Sequence, residues 1–182
     1  IFLISILFLY LFYLSIPSLY DKGKLQKYLS DNLLSEYKIN FSISSEINYS
    51  ILPSPHLLVE NAKIYNQDSS LPKELSQIKK LKIYISQKSL INQDKLLIKK
   101  IVIQDANFSI DKSDLKFFSN YFDQKFSNKK IIIKDSKFFY KNNNDKIVSI
   151  IHLQNSNIFY SKEKFLNIIE TKGKIFRLPF NL

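Results

Sequence analysis

The chain has 182 residues, of which 45% are hydrophobic and 24% charged, a balance that excludes a disordered tail or a low-complexity linker. It contains no cysteine, which excludes a disulfide scaffold, a thiolate metal site and a cysteine nucleophile. The formal net charge is +11 at pH 7, yet Arg177 is the only arginine and the lysines are dispersed along the chain. Lysine cannot make the planar bidentate contacts of arginine, so we expect no nucleic-acid partner, whereas anionic lipid headgroups need only the charge.

An uncharged apolar segment opens the sequence, where residues 1–16 read IFLISILFLYLFYLSI. At 1.5 Å per residue a helix of this length spans about 24 Å, against about 30 Å for a bilayer core. Aromatic rings that suit a membrane interface follow at Tyr10, Tyr13 and Tyr20. We predict an uncleaved transmembrane anchor over residues 1–20. Because the chain starts at Ile1 and contains no methionine, we expect the anchor to be truncated and the chain to be an internal fragment.

Two other interpretations of this segment remain open. A signal peptide would need small residues before a cleavage site, and the only alanines are Ala62 and Ala106. A buried core helix would rarely be apolar on every side. The orientation of the anchor is also open, because only one of its two flanks can be counted for lysines.

The next segment has the period of a helix. Apolar residues recur at spacings of three and four in Leu25, Tyr28, Leu29 and Leu33. This pattern predicts a short amphipathic helix over residues 21–37, lying on the membrane or closing one end of a β structure.

From residue 38 onward the period becomes two, which is typical of strands with one apolar face. Residues 39–51 predict one long strand or a hairpin, and residues 81–85 alternate in the same way. Residues 65–78, which include Pro72, predict a loop.

One short pattern occurs four times: LLVENAKI at 57–64, IVIQDANF at 101–108, IIIKDSKF at 131–138 and IHLQNSNI at 151–158. In each copy the outer apolar positions are odd before the Asn or Asp and even after it. A regular strand cannot keep one face through such a switch, but a β-bulge restores it. Asn and Asp tolerate left-handed backbone angles. We therefore predict kinked strands with bulges near Asn61, Asp105, Asp135 and Asn155, the alternative being four unrelated strands.

A second helix is predicted between the second and third copies. Ser113 is a suitable N-cap, and an aromatic stripe follows it through residue 126. The stripe consists of Leu115, Phe118, Phe122 and Phe126. Such a stripe most often packs against a sheet.

The order of these pieces resembles the N-terminal region of the AsmA family of bacterial envelope proteins. The matching segments are INYSILPSPHLLVENA at 47–62, with its turn at Pro53 and Pro55, then 81–85, 89–91, 96–110 and GKIFRLPF at 173–180. The chain departs from the family where Ser44, Ser45 and Glu46 replace a common glycine. The resemblance covers essentially the whole chain, but its motifs are short.

The predicted fold is mainly β. An N-terminal transmembrane helix and a short amphipathic helix lead to a long, curved, mostly antiparallel sheet. This sheet, over residues 38–182, has an apolar groove face, one or two short covering helices and an incomplete C-terminus. The candidates for lining the groove are Ile39, Phe41, Ile43, Ile47, Tyr49, Leu81, Ile83, Ile85, Ile131, Ile133, Phe138 and Tyr140.

The resemblance implies an inner-membrane protein whose β domain lies in the periplasm and carries phospholipid toward the outer membrane, supporting outer-membrane assembly. The residues are compatible with this role, because an apolar sheet face needs a second layer or a ligand to cover it. The expected partners are phospholipid acyl chains, the inner membrane and other envelope proteins. The alternative is an adaptor domain that binds envelope proteins through a sheet edge or its basic surface, without transporting lipid.

No catalytic constellation is apparent, so we expect a protein that is not an enzyme and needs no cofactor or metal. His56 and His152 stand apart from other candidate ligands. Gly23 and Gly173 are the only glycines, which excludes phosphate-binding loops. Asp111 and Asp114 are interpreted as residues that start a helix.

Overall fold

The computed structural model describes residues 2–44, 46–66, 72–142 and 144–182. The predicted fold class is confirmed: the molecule is mainly β, with one long mixed sheet, an apolar N-terminal helix and a few short helices. The helices are α1 (Phe2–Ser15), α2 (Lys22–Tyr37) and α3 (Leu115–Asp123). The strands are β1 (Asn40–Ser42), β2 (Ile47–Ser50), β3 (His56–Asn66), β4 (Lys73–Ile85), β5 (Ile98–Ile110), β6 (Lys130–Lys141), β7 (Ile147–Ser161), β8 (Leu166–Ile175) and β9 (Leu178–Asn181).

Within the described part of the chain, these strands form one sheet in the order β1-β3-β4-β5-β6-β7-β8-β9, and β2 also pairs with β3. Every pairing is antiparallel except that of β5 with β6. Parallel neighbours need a crossover connection, and α3 lies in the segment that makes it.

The segment predicted as one strand or a hairpin is two short strands along the same edge. β1 pairs with the C-terminal half of β3, with Phe41 opposite Ile64, and β2 pairs with its N-terminal half, with Tyr49 opposite Leu57. Ile43 and Ile47 on either side of the break are both buried. The period of two thus describes the buried face correctly, although the ladder of backbone hydrogen bonds is interrupted.

The predicted kinks form one continuous row across the sheet. Asn61, Asp105 and Asp135 have left-handed backbone angles, with φ of 56°, 54° and 48°. β4 changes its buried parity at the same level, between Ile78 and Leu81, without an Asn or Asp. Because adjacent strands kink together, the register on both sides of the row is the same from β3 to β7. These three positions are therefore left-handed kinks without the extra residue of the predicted bulges.

The fourth predicted position behaves differently. Asn155 is not among the described residues with positive φ, but the register between β7 and β8 shifts between Leu153 and Asn155. β8 supplies one residue fewer than β7 at this level, since Leu153 pairs with Gly173 and Asn155 with Lys172. The row of kinks therefore ends at β7, as a two-against-one bulge.

The loop predicted for residues 65–78 is largely wrong. β3 continues to Asn66 and β4 begins at Lys73, directly after Pro72, so most of this interval is a pair of antiparallel strands. Residues 67–71 lie outside the described residues. Pro72 is compatible with this arrangement, because a proline directly before a strand does not interrupt the backbone hydrogen bonds between the strands.

The amphipathic helix is confirmed as α2. The Asp21 side chain caps it by accepting a hydrogen bond from the backbone N–H of Lys24 at 2.7 Å. Lys38, in the left-handed conformation, ends it. Its inner face, with Leu25, Leu29 and Leu33 at i, i+4 spacing, is buried in the same core as the apolar face of the sheet.

Helix α1 has the opposite character, because most of its large apolar side chains are exposed. Together with the 3₁₀ turn that follows, Phe2–Leu19 is the one described helical stretch that is long and apolar enough to cross a membrane. Leu14 and Pro17, near its end, are buried against the β domain. The apolar helix is therefore suited to serve as a single anchor that is attached firmly to the domain it carries.

Candidate apolar groove

A cavity of about 310 Å³ lies on the apolar face of the sheet, beneath α3. Its floor comes mainly from the five kinked strands β3 to β7. Two of their aromatic rings, those of Phe108 and Phe138, stack with centroids 4.1 Å apart. These two residues are direct neighbours in the parallel pairing of β5 with β6. The lining is aliphatic and aromatic and consists of Ile39, Ile64, Leu75, Ile103, Phe108, Ile110, Leu115, Phe117, Phe118, Tyr121, Phe122, Ile131, Ile133, Phe138 and Ile158.

Helix α3 forms the roof of this cavity with Leu115, Phe118 and Phe122 of the predicted stripe, whereas Phe126 lies beyond the end of the helix and outside the lining. Phe118 packs edge to face on Phe117, while Tyr121 stacks on Phe126 with centroids 5.3 Å apart. None of the α3 side chains is fully buried, and Leu115 and Phe122 are almost half exposed. Burial of the Tyr121 ring raises the pKa of its hydroxyl to about 12, so the group is neutral at physiological pH.

A charged cluster attaches the N-terminal end of α3 to β4. The ammonium of Lys73 is 2.6 Å from a carboxylate oxygen of both Asp111 and Asp114. The hydrogen bond from Lys73, helped by Ser113, lowers the pKa of Asp111 to about 2. Burial alone would lower the pKa of Lys73, but its hydrogen bonds to the two carboxylates raise it. The prediction that Asp111 and Asp114 start a helix is confirmed, because they form the capping box of a 3₁₀ turn, Lys112–Asp114, that leads into α3. The N-cap predicted at Ser113 is wrong, since Ser113 lies inside this turn and Asp111 is the capping residue.

The C-terminal end of α3 is attached to β8 and β7. The side chain of Asn167 accepts a hydrogen bond from the backbone N–H of Phe126 at 2.9 Å and donates one to the carbonyl of Gln124 at 2.6 Å. The ammonium of Lys125 lies 4.1 Å from the centroid of the Tyr160 ring. Helix α3 is thus fixed at both ends, while its middle rests on the cavity.

The connection from α3 to β6 is also tied to α2. Glu36, in the last turns of α2, accepts hydrogen bonds from the Ser127 hydroxyl and the Lys129 ammonium. Although burial alone would raise it, these bonds hold the pKa of Glu36 below its ordinary value. The two helices on the apolar face are therefore linked to each other at this end of the cavity.

The structure divides the predicted groove residues into two groups. Ile39, Ile131, Ile133 and Phe138 line the cavity. The second group lies in the hydrophobic core, which also contains Ile131, Ile133 and the inner face of α2, but does not line the cavity; it consists of Phe41, Ile43, Ile47, Leu81, Ile83 and Ile85. These six side chains are almost fully buried, so they are packed rather than open to a ligand.

The two predicted tyrosines lie outside the cavity lining. The hydroxyl of Tyr49 donates to the carbonyl of Leu14 at 2.6 Å, which joins β2 to the end of α1. Tyr140 is half-buried near the end of β6. At the turn between β2 and β3, Pro53 and Pro55 flank Ser54, whose carbonyl lies 2.9 Å from Nδ1 of His56.

Sequence reasoning missed several cavity residues. Ile64, Phe108 and Ile158 occupy the last position of the repeated pattern, so the pattern itself could have identified them. Leu75 was not recognised because it lies in residues 65–78, which were predicted to form a loop. The aromatic stripe predicted that this helix packs against a sheet, but nothing in the sequence indicated which strands it would cover.

No group of three His, Asp or Glu residues that could hold a metal was found among the described residues. His56 stacks on Tyr84, with ring centroids 5.1 Å apart, and His152 is exposed on the outer face of the sheet. Comparison of the chain with known protein families and with curated proteins finds no match.

Proposed function

We propose that this protein is a membrane-anchored, AsmA-like envelope protein that shields a phospholipid acyl chain in the groove between its sheet and α3. In this proposal α1 anchors it in the inner membrane, the β domain lies in the periplasm, and lipid moves along the groove toward the outer membrane. The observation that carries the proposal is the cavity beneath α3, whose lining contains no charged side chain.

The size of the cavity supports a single chain rather than a whole lipid. Its volume of about 310 Å³ lies at the lower end of the range of roughly 300–1,000 Å³ for small-molecule sites. An apolar cavity without hydrogen-bond partners stays dry and favours an apolar occupant. Each methylene group that enters contributes roughly 0.8 kcal/mol, so a chain of ordinary length is held strongly enough to leave water.

Photocrosslinking in cells that carry the full-length protein tests the proposal. Photoreactive residues are placed at Ile133 and Phe138, which line the cavity, and at Lys134 and Lys137, which are exposed on the opposite face of the same strand. Mass spectrometry then identifies the adducts. Phospholipid adducts at the two cavity positions, with none at the lysines, are expected.

Either of two results would overturn the lipid-groove proposal: adducts to protein alone, or equal labelling on both faces. Transport provides a second readout. The change Phe138→Asp places a charge in the cavity and is expected to abolish lipid transfer, whereas Lys137→Asp on the outer face leaves it unchanged. Circular dichroism of both variants checks that the sheet is retained.

A second candidate function is supported by a free strand edge. β8 pairs with β7 only from Ile151 onward, so residues 147–150 have no described strand on that side. An outer cleft of about 850 Å³ adjoins this edge, and its lining includes Lys137, Lys174 and Arg177. An extended acidic segment of another envelope protein would fit this adaptor site by strand addition. The change Val148→Glu, which places a like charge against the acidic segment, would then weaken partner capture, while Phe138→Asp would not.

A further inference from the structure

Four large aliphatic side chains are exposed around the end of the β domain from which α1 projects. They lie in the 3₁₀ turn after α1, in the turn after β2 and in the connection between β4 and β5. Their exposed fractions are 79% for Leu19, 78% for Leu52, 74% for Ile91 and 56% for Leu97. A single exposed aliphatic residue is ordinary, but four near the base of an apolar helix extend its apolar surface onto the domain.

Hydrogen bonds hold these segments in place beside α1. The Tyr13 hydroxyl, in the last turn of α1, donates to the carbonyl of Gln87. The Tyr20 hydroxyl donates to the carbonyl of Leu90 at 2.6 Å, so Ile91 follows directly after an anchored residue. On the other side, the N–H of Ile85 bonds the carbonyl of Pro55 at 3.1 Å and ties the turn after β2 to the end of β4.

This attachment limits how far the end of the domain can lie from a bilayer that α1 crosses. Residues 13–17 are held against the domain, and the continuously exposed part of α1 ends at Phe12. The apolar stretch continues for seven residues from Phe12 to Leu19, which at about 1.5 Å per residue is roughly 10 Å along the helix. Because their segments are tied to the end of α1 and to the end of β4, the exposed aliphatic side chains stay near the base of the apolar helix.

The charges at this end suit an anionic membrane surface. Four exposed lysines surround the aliphatic residues, at Lys22, Lys24, Lys88 and Lys95, against the acidic residues Asp21 and Asp94. Lysines beside a membrane attract anionic headgroups while their stems lie along apolar surface.

We propose that this end of the domain is a second membrane contact, in which Leu52 and Ile91 insert into the interface of the bilayer that α1 crosses. The inference rests on α1 as the anchor but not on lipid in the cavity. Since β5 and β6 both begin at this end, it places Ile131 nearer the bilayer than Phe138. The groove is thereby directed away from the membrane surface.

Single-tryptophan variants test this contact cleanly, because the chain contains no tryptophan. Leu52→Trp and Ile91→Trp report on the proposed contact. Phe8→Trp reports on α1, and Phe176→Trp reports on the turn between β8 and β9 at the opposite end of the sheet. All four positions are highly exposed, so the substitutions leave the core intact.

Each full-length variant is reconstituted into vesicles of phosphatidylcholine and phosphatidylglycerol, with and without brominated acyl chains. Quenching of about twofold is expected for the tryptophans at 52, 91 and 8, and none at 176, because an aromatic ring prefers the interface. Quenching at position 8 alone would overturn the contact, and equal quenching at all four positions would overturn the orientation. If the tryptophan at position 8 is not quenched, both the anchor role of α1 and the proposed membrane contact are overturned. None of these results depends on the lipid adducts that test the groove.

Discussion

At the scale of single residues, the kinked sheet depends on a few backbone conformations that most residues avoid. Asn61, Asp105 and Asp135 adopt positive φ, where a Cβ atom crowds the following carbonyl. Asn and Asp tolerate this conformation because their short polar side chains bond locally to the backbone. The small residue that follows each one, Ala or Ser, is buried in every copy. The hydroxyl of Ser136 also accepts a hydrogen bond from the N–H of Ala106 at 3.0 Å, across the kink.

These angles lead to a prediction for matched substitutions. The change Asp135→Ala is expected to lower the free energy of unfolding by about 1 kcal/mol, because alanine adopts positive φ less readily than aspartate. Asp135→Asn should be nearly neutral. Asn155→Ala is the control, since Asn155 holds the same place in the repeat without a described positive φ. Denaturant unfolding of the detergent-solubilised chain measures all three variants, and equal losses at 135 and 155 would contradict the explanation.

At the scale of elements, the retention of α3 over the cavity depends on the buried end of its charged cluster. The side chain of Asp114 is only 1% exposed, and Lys73 neutralises it. Its second carboxylate oxygen has no hydrogen-bond partner among the described residues. Removing the cation would leave a buried charge without compensation, which is far costlier than losing a surface pair.

The change Lys73→Met is therefore expected to lower the free energy of unfolding by about 2 kcal/mol. This loss is smaller than that for breaking a fully buried ion pair, because Lys73 is partly exposed to solvent. Lys63→Met, which breaks an exposed pair with Glu74, should cost less. The pKa of Asp111 is lowered from 3.8 to about 2 in the folded state, so its contribution is complete above pH 3.8 and is lost as the pH falls toward about 2. The difference in free energy of unfolding between wild type and Lys73→Met should therefore shrink as the pH falls over that range. A difference that stays constant with pH would show that the ion pair is not its cause.

The elements also show how far sequence reasoning extends. The parity switch at Asp105 and Asp135 predicted the kinks because side chains alternate strictly along a strand, whatever surrounds them. β4 kinks between Ile78 and Leu81 with two lysines and no Asn or Asp, so its kink follows from its neighbours in the sheet and has no local signal. The parallel pairing of β5 with β6 was equally unpredictable, because it is set by the path of the chain through α3.

In the candidate groove, too, the sequence predicts the features that depend on local periodicity but not those that depend on long-range contacts. The apolar face was readable from periodicity, and Ile133 and Phe138 were placed on it correctly. Which part of that face stays open depends on where α2 and α3 lie, and this is decided by long-range contacts such as those of Glu36 with Ser127 and Lys129. Six of the twelve predicted residues are buried in the core without lining the cavity.

At the scale of the whole molecule, the boundary between anchor and domain lies inside the apolar segment rather than at its end. A chain that begins at Tyr13 loses only the exposed part of α1, and we expect it to keep the stability of the full chain while no longer binding membranes through the anchor. A chain that begins at Asp21 also loses the buried Leu14 and the hydrogen bond from Tyr20 to Leu90. Removing a buried leucine leaves a cavity, so this shorter chain is expected to be less stable by about 3 kcal/mol. Thermal and urea unfolding of the two truncated chains measure the difference, and equal stability would mean that the apolar segment is only a tether and that residues 13–20 do not belong to the folded domain.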